Sequence, residues 1–325
     1  MKLITDTLVG LACATALTAP ALAETWDMPM AYSGTNFHSA TGAEFAKCVT
    51  TGTMGEVEIV THPGGALFAG ADIKRAIQTG QVPIGERLLS GHANENAIFG
   101  FDSIPFLSPS FDDHAKLWEA AKPEIEKVLE EQSLHLLYSV PWPPQGLYFN
   151  KEVTSVADMQ GIKFRSYNNA TARLAELTGM APVTIEAAEL SQAFATGVAE
   201  SMISSGATGY DQKVWESLTH FYQVDAWLPR NYIMVNADTW AATSDANKAV
   251  IEGCAGLAEY AGLYRAKEYT NFTYEGLRAG GMMVTPPSEQ LEADLRTVGE
   301  KMTTEWLEQA GAAGQSIIDS YRAMQ

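Results

Sequence analysis

One arginine carries the chemistry that this sequence offers most clearly. In residues 161–179, Ile162, Phe164 and Ser166 alternate with Lys163 and Arg165, a period of two that predicts a short strand ending in a turn at Asn168 and Asn169. Asn168 or Asn169 suits a helix N-cap, Ala170, Leu174 and Leu177 recur at helical spacing, and Gly179 suits the stop. Arg165 therefore falls at a strand's carboxyl end beside the free N–H groups of a helix start, where open α/β sheets bind ligands and an anion is favoured. A guanidinium fork there offers a carboxylate two parallel charge-assisted hydrogen bonds. A lone arginine is more often a surface residue paired with an acid, and it is the residues accompanying Arg165 that favour the binding role.

Gln145 and Tyr148 border the proline-rich run Pro141-Trp142-Pro143-Pro144, a composition that suits a crossing between domains, and both can hydrogen-bond a ligand. Ser204, Ser205 and Gly206 end an expected strand and offer hydroxyl and backbone donors, although a plain Ser-Gly turn gives the same pattern. Trp142, Trp215 and Trp227 are each available to stack on a flat ligand or to fill a core. Tyr32, Asn36, Phe37 and Glu86 lie on strand-to-helix connections expected to face a cleft, and Glu86 would repel an acid that lacked a hydroxyl or ammonium group. Arg230 offers a second positive charge or a surface residue. Enzyme signatures are missing. His38, His62, His92, His114, His135 and His220 are scattered without metal-helix spacing, and there is no Gly-x-Ser-x-Gly elbow and no cysteine near a nucleophile turn. Binding without a metal, a cofactor or turnover is expected, with a secreted hydrolase as the weaker alternative.

The elements that must position these residues follow from periodicity. Strands are expected at 26–31, 57–61 and 82–85, with helices running to Lys47 and over 71–79, an alternation typical of a parallel sheet with crossovers. Two helices are expected over 112–121 and from Pro123 to Gln132, then strands at 135–140 and 147–150 and a capping-box turn at Ser155 to Asp158. A helix over 188–196, a strand over 198–204, a helix over 210–218 carrying Trp215, and extended segments at 221–226 and 232–236 come next. From Ala246 the residues Val250, Cys254, Leu257, Ala261 and Tyr264 step by threes and fours, and the helical pattern persists toward Leu277. Such a helix is about three times the usual length and can lie across two lobes.

Export and charge bound the function. Lys2, an apolar run from Leu8 to Leu17, and Ala21-Leu22-Ala23 read as a cleaved secretory signal over 1–23, which removes Cys13. Cys48 and Cys254 remain, either paired in an oxidising compartment or separate as small buried hydrophobes. About 300 mature residues exceed what one core usually organises, so two domains are expected. A net charge of −18 argues against nucleic acid and against stable association with an anionic membrane, and it requires any anionic ligand to be held locally.

Phe45-Ala46 with Gly52 before a strand, Ser103-Ile104-Pro105-Phe106-Leu107, Met159-Gln160-Gly161-Ile162-Lys163-Phe164-Arg165, Glu189 through Gly197, and the very long helix follow one another in this exported acidic chain. Together they resemble the substrate-binding proteins of tripartite ATP-independent periplasmic (TRAP) transporters, the DctP family, over essentially the whole mature chain. The resemblance implies the α/β two-lobed periplasmic binding protein fold, with hinge strands and one long helix spanning both lobes. The expected lobes are 24–143 with 231–271, and 144–230 with 272–325. It also implies a small organic anion held in the interlobe cleft and passed, in the periplasm, to TRAP membrane permease subunits. A sensor handing its bound form to a receptor would use the same cleft.

In the family, the arginine at the place of Arg165 commonly pairs with the substrate carboxylate; here Met159-Gln160 replaces the usual Leu-Lys. Other positions depart from the pattern. Where many sugar-acid and dicarboxylate binders carry a second arginine, this chain has Gln145-Gly146 ahead of Asn150-Lys151, and Ser204 stands where a ligand-binding asparagine often is. These losses of charge and amide suit a ligand with one carboxylate, or one whose far end is apolar.

Overall fold

The computed structural model describes residues 24–325; the expected signal over 1–23, Cys13 included, lies outside the described residues. Strands β1 (Glu24–Pro29) and β2 (Val57–His62) pair in parallel, joined by helix α1 (Phe37–Gly52). Alternate residues on the two strands, Trp26 and Met28, Val57 and Ile59, share a core with Phe45, Ala46 and Val49 of α1. Helix α2 (Ile73–Gln78) leads to β3 (Ile84–Leu88), which starts later than the expected 82–85 and is buried along its whole length. Two helices were expected over 112–132, but α3 (Phe111–Glu131) is continuous with Pro123 inside it. Glu119, whose carbonyl loses a partner to the proline, is exposed to water, while Leu117, Ala121, Ile125 and Leu129 hold both halves to one core.

Strand β4 (Leu134–Pro141) crosses through Trp142 to β5 (Gln145–Phe149). The chain then builds β6 (Lys163–Ser166), α4 (Asn169–Leu177), β7 (Ala181–Thr184), α5 (Leu190–Ala195), β8 (Ser201–Ser205), α6 (Gly206–Asp211) and β9 (His220–Tyr222). Helix α6 begins at Gly206, not at Tyr210 as expected, because Ser205 caps it by accepting the Thr208 N–H; Trp215 sits on a separate short turn, Val214–Glu216. The chain returns through β10 (Arg230–Asn236), which runs antiparallel between β3 and β4, so parallel pairing describes β1 and β2 but not this sheet. Helices α7 (Ala237–Ala242) and α8 (Asp245–Ala279), strand β11 (Met283–Thr285) and helix α9 (Glu289–Ala323) complete the order.

Two lobes result. The first holds the β1–β2 pair and the sheet β3-β10-β4; the second holds the six strands ordered β11-β9-β5-β8-β6-β7. The two crossing segments lie side by side, Trp142 N–H donating to the Pro229 carbonyl at 2.7 Å and Gln145 N–H to that of Trp227 at 2.9 Å. Helix α8 spans both lobes: Ile251, Cys254 and Ala258 pack in the first, Tyr274 and Leu277 in the second. Cys48 and Cys254 form a disulfide that ties α1 to α8, which decides between the two alternatives left by the sequence. Helix α9 breaks at Gly311 (φ 59°), and beyond it Ile317 and Tyr321 pack with Leu117 and Ile125 of α3. Assigning all of 272–325 to the second lobe therefore does not describe these contacts.

Candidate ligand-binding site

Strand β6 lies between β7 and β8, and this placement buries Arg165 to 3% exposure. Its Nε donates to the Ile185 carbonyl at 2.9 Å, and the Tyr167 ring lies 5.1 Å from its guanidinium carbon. Burial lowers its pKa, yet an arginine keeps its proton. Among the described residues no carboxylate forms an ion pair with it. The helix start beside it is used differently from the expectation. Asn168 caps α4 by accepting the Thr171 N–H at 2.8 Å, and its Nδ2 donates to Ser90 at 3.0 Å and Ser103 at 3.2 Å in the other lobe. That end of α4 ties the lobes together.

Arg165 opens on an interlobe cavity of about 30 Å³. The first lobe contributes Tyr32, Arg87 and Leu88, the crossings contribute Trp142 and Pro229, and the second lobe contributes Gln145, Tyr167, Glu186, Ala187, Ser204 and Thr208. A void of that size holds a water or two, so the two lobes meet closely across it. The wall is fixed by its own hydrogen bonds. Gln145 donates to the Pro143 carbonyl at 2.9 Å and accepts the Tyr167 hydroxyl at 3.2 Å, and Trp227 Nε1 donates to that hydroxyl at 3.0 Å. Trp142 Nε1 donates to Asn231 at 2.8 Å and its ring meets Tyr32 edge-on at 4.8 Å between centroids. Arg87 donates to both oxygens of Glu186, at 3.1 Å and 3.3 Å.

Of the residues singled out by sequence, Arg165, Gln145, Ser204, Tyr32 and Trp142 come together on this cavity. Asn36 lines the adjoining opening with Tyr32 and Asp211, and its Nδ2 donates to Asp211 at 2.7 Å across the cleft. The others go elsewhere. Tyr148 is fully buried and donates to the Ser205 carbonyl, because Gly209 leaves room for its ring beneath α6. Ser205 is occupied as the cap of α6, Phe37 packs in the core against Trp142, and Trp215 packs against Gly280 and Tyr210. Trp227 is buried with its ring N–H bonded to Tyr167, so it offers no face to a ligand.

Glu86 lies behind the cavity wall. It accepts from Asn231 at 2.9 Å, and burial pushes its pKa up to about 7. Arg230 turns into the first lobe, where it donates to the Ser139 side chain and carbonyl at 2.8 Å and covers Trp118 at 4.5 Å, so it is not the second site charge.

Sequence reasoning missed Arg87, Tyr167, Glu186 and Thr208. Arg87 directly follows Glu86 on β3, so the two point to opposite faces, and the strand period was the signal available for finding it. Thr208, in the first turn after a capping serine, was within reach of the same argument; Glu186, in the segment after β7, had no local signal.

The family model described as bacterial extracellular solute-binding protein, family 7 (DctP), matches residues 30–310. The chain belongs to this family. Its solved relatives include a marine metagenome TRAP solute-binding protein of an unidentified microbe, specific for pyroglutamate and solved with co-purified pyroglutamate. It is 52% identical with a TM-score of 0.92, over 93% of this chain and 99% of that one. DctP6 of Bordetella pertussis, an extracytoplasmic solute receptor binding pyroglutamic acid, is 41% identical with a TM-score of 0.91, over 92% and 100%. DctP7 of the same organism, also binding pyroglutamic acid, is 35% identical with a TM-score of 0.91, over 92% and 100%. This chain is thus a TRAP-type solute-binding protein of a family that acts outside the cytoplasm. Among the described residues no helix is long and apolar enough to cross a membrane.

Proposed function

We propose that this protein captures pyroglutamate, a cyclic amide with one carboxylate, and delivers it in the periplasm to TRAP membrane permease subunits without altering it. The observation that carries this reading is Arg165: a buried guanidinium, with no ion pair to a carboxylate among the described residues, on a small cavity between the lobes. The ligand carboxylate takes the guanidinium fork. Its lactam N–H and C=O need one acceptor and one donor, which the Tyr32, Ser204 and Thr208 hydroxyls and the Gln145 amide offer, while Trp142, Leu88 and Pro229 cover the two ring CH₂ groups. Identity of 35–52% to three pyroglutamate binders supports the same ligand. Parting of the lobes about the segments at Trp142 and Pro229 admits it, and closure excludes water and strengthens the ion pair.

The test is to denature protein purified from its expression host, identify released small molecules by mass spectrometry, and titrate the refolded protein calorimetrically. Release of pyroglutamate, or sub-millimolar binding of it with the ligand recovered unchanged, is expected. Failure to bind pyroglutamate alongside tight binding of a different acid overturns the assignment, and recovery of a converted product overturns the non-enzymatic part.

A further inference from the structure

Two arginines border the cavity, but only one of them is open to a ligand. We propose that Glu186 is the specificity-determining residue that limits this site to monocarboxylates, by neutralising Arg87 and leaving Arg165 as the single uncompensated charge. The proposal rests on the reading of this cavity as the ligand site.

The geometry of Arg87 leaves it little else to do. Its Nη1 and Nη2 both donate to Glu186, and its Nε donates to His92 Nε2 at 3.2 Å. For His92 to accept there, its proton must sit on Nδ1, which lies 2.8 Å from Glu95 Oε1. Burial and the Arg87 charge lower the His92 pKa, in keeping with this neutral form. Each of the three Arg87 guanidinium nitrogens thereby donates to a side chain of the protein. Glycines wall it in: a Cβ on Gly70 would stand 2.9 Å from Nη1 and from Glu186 Oε2, and one on Gly91 would stand 3.0 Å from Nη2. Only bare backbone fits there, and it confines the fork to Glu186.

The charges then decide what fits. Arg165 and Arg87 together carry two positive charges and Glu186 removes one, so the cavity matches one carboxylate. A dicarboxylate entering the closed site brings a second negative charge that must either displace Glu186 from Arg87 or remain buried beside it unpaired. Both outcomes are unfavourable, and rejecting the wrong ligand by such repulsion is a general route to specificity. The pair joins the lobes, since Arg87 is on β3 and Glu186 follows β7, so closure itself completes the neutralisation.

The test uses pyroglutamate and glutarate, which has the same five carbons with a second carboxylate in place of the lactam. Affinities are measured by titration calorimetry for the wild type, Glu186→Gln, and the double variant Arg87→Gln/Glu186→Gln. The wild type is expected to prefer pyroglutamate. Glu186→Gln should shift the glutarate-to-pyroglutamate affinity ratio at least about tenfold toward glutarate, and the double variant, with the original net charge, should shift it back. A ratio unmoved in Glu186→Gln, in protein that still binds pyroglutamate, overturns the role of Glu186. A double variant that keeps the glutarate preference also overturns it, because shape and not charge would then be the cause. If the wild type binds neither acid while remaining folded, the pyroglutamate reading on which the proposal rests fails, a result separable from the other two.

Discussion

Arg165 and Arg230 are equally hidden, at 3% and 4% exposure, and each begins or lies within a strand near the lobe crossing. They differ in what satisfies them. Arg230 has its guanidinium bonded to both Ser139 oxygens, stacked on Trp118 and approached by Glu259 at 3.7 Å, while its backbone N–H is taken by Asp102. Arg165 has one carbonyl partner and an aromatic neighbour. Burial alone therefore does not mark a binding residue. Donor capacity that the protein leaves unspent does, because a buried charge is retained only where something else completes it.

The largest effect that bears on this contrast is on affinity. Arg165→Ala should weaken pyroglutamate binding about a thousandfold, about 4 kcal/mol, with cooperative unfolding preserved. Arg165→Lys should recover little, since an ammonium has no parallel fork. Titration calorimetry with a thermal melt checks both, and undiminished affinity in the alanine variant would erase the distinction between the two arginines. Arg230→Ala should act in the opposite way, lowering stability by about 3 kcal/mol through the stranded Ser139 oxygens and the lost cover over Trp118, while affinity in the folded protein stays within about tenfold. Urea unfolding and calorimetry on the same preparation would show whether the two roles separate.

The smallest effect sharpens the same contrast among carboxylates, Glu186 on the cavity against Glu86 behind it. Burial holds Glu86 near 7 from an ordinary 4.5, so between these values the folded state keeps a proton that the unfolded state has lost. Its contribution to stability therefore declines as pH rises from about 4.5 to about 7 and is level above that. His38 faces it at 3.8 Å and is kept neutral there, its pKa lowered by burial and by Arg230. Glu86→Gln should be relatively more stable than wild type by on the order of 2 kcal/mol at about pH 8, with the gap shrinking toward about pH 5. Equilibrium unfolding at both values checks this, and a gap that does not change with pH would mean that Glu86 is ionised throughout.

The local architecture around the site was legible because its signals are local. Alternation gave β6, Asn168 gave the cap, and Gly179 adopts φ 76° where its Cβ would meet Gln160. The long α8 was legible from its spacing. What could not be read depends on partners distant in sequence. Period two separates Glu86 from Arg87 but does not say which faces the cleft, and only the pairing of β3 with β10 decides it. Arg230 looked like a loop residue, since nothing beside it in sequence announces Ser139 or Asp102. Pro123 read as a helix start because proline suits a first turn, whereas in the fold the core residues on both sides of it hold α3 together and outweigh one lost hydrogen bond.

The cross-link between Cys48 and Cys254 has a mechanical consequence. It fastens α8 to α1 near one end, and Gly262 seats the middle of the same helix against Val140, so most of that rod is fixed to a single body. The far end, where Gly276 and Gly280 meet Tyr210 and Trp215, packs in the other lobe and reaches about 25 Å beyond Gly262, the rise of the helical residues from there to Ala279. A slight tilt at the anchored end becomes a wide swing at that far end, so a reductant that loosens the anchor should blunt the travel of the clamshell before it unfolds either half.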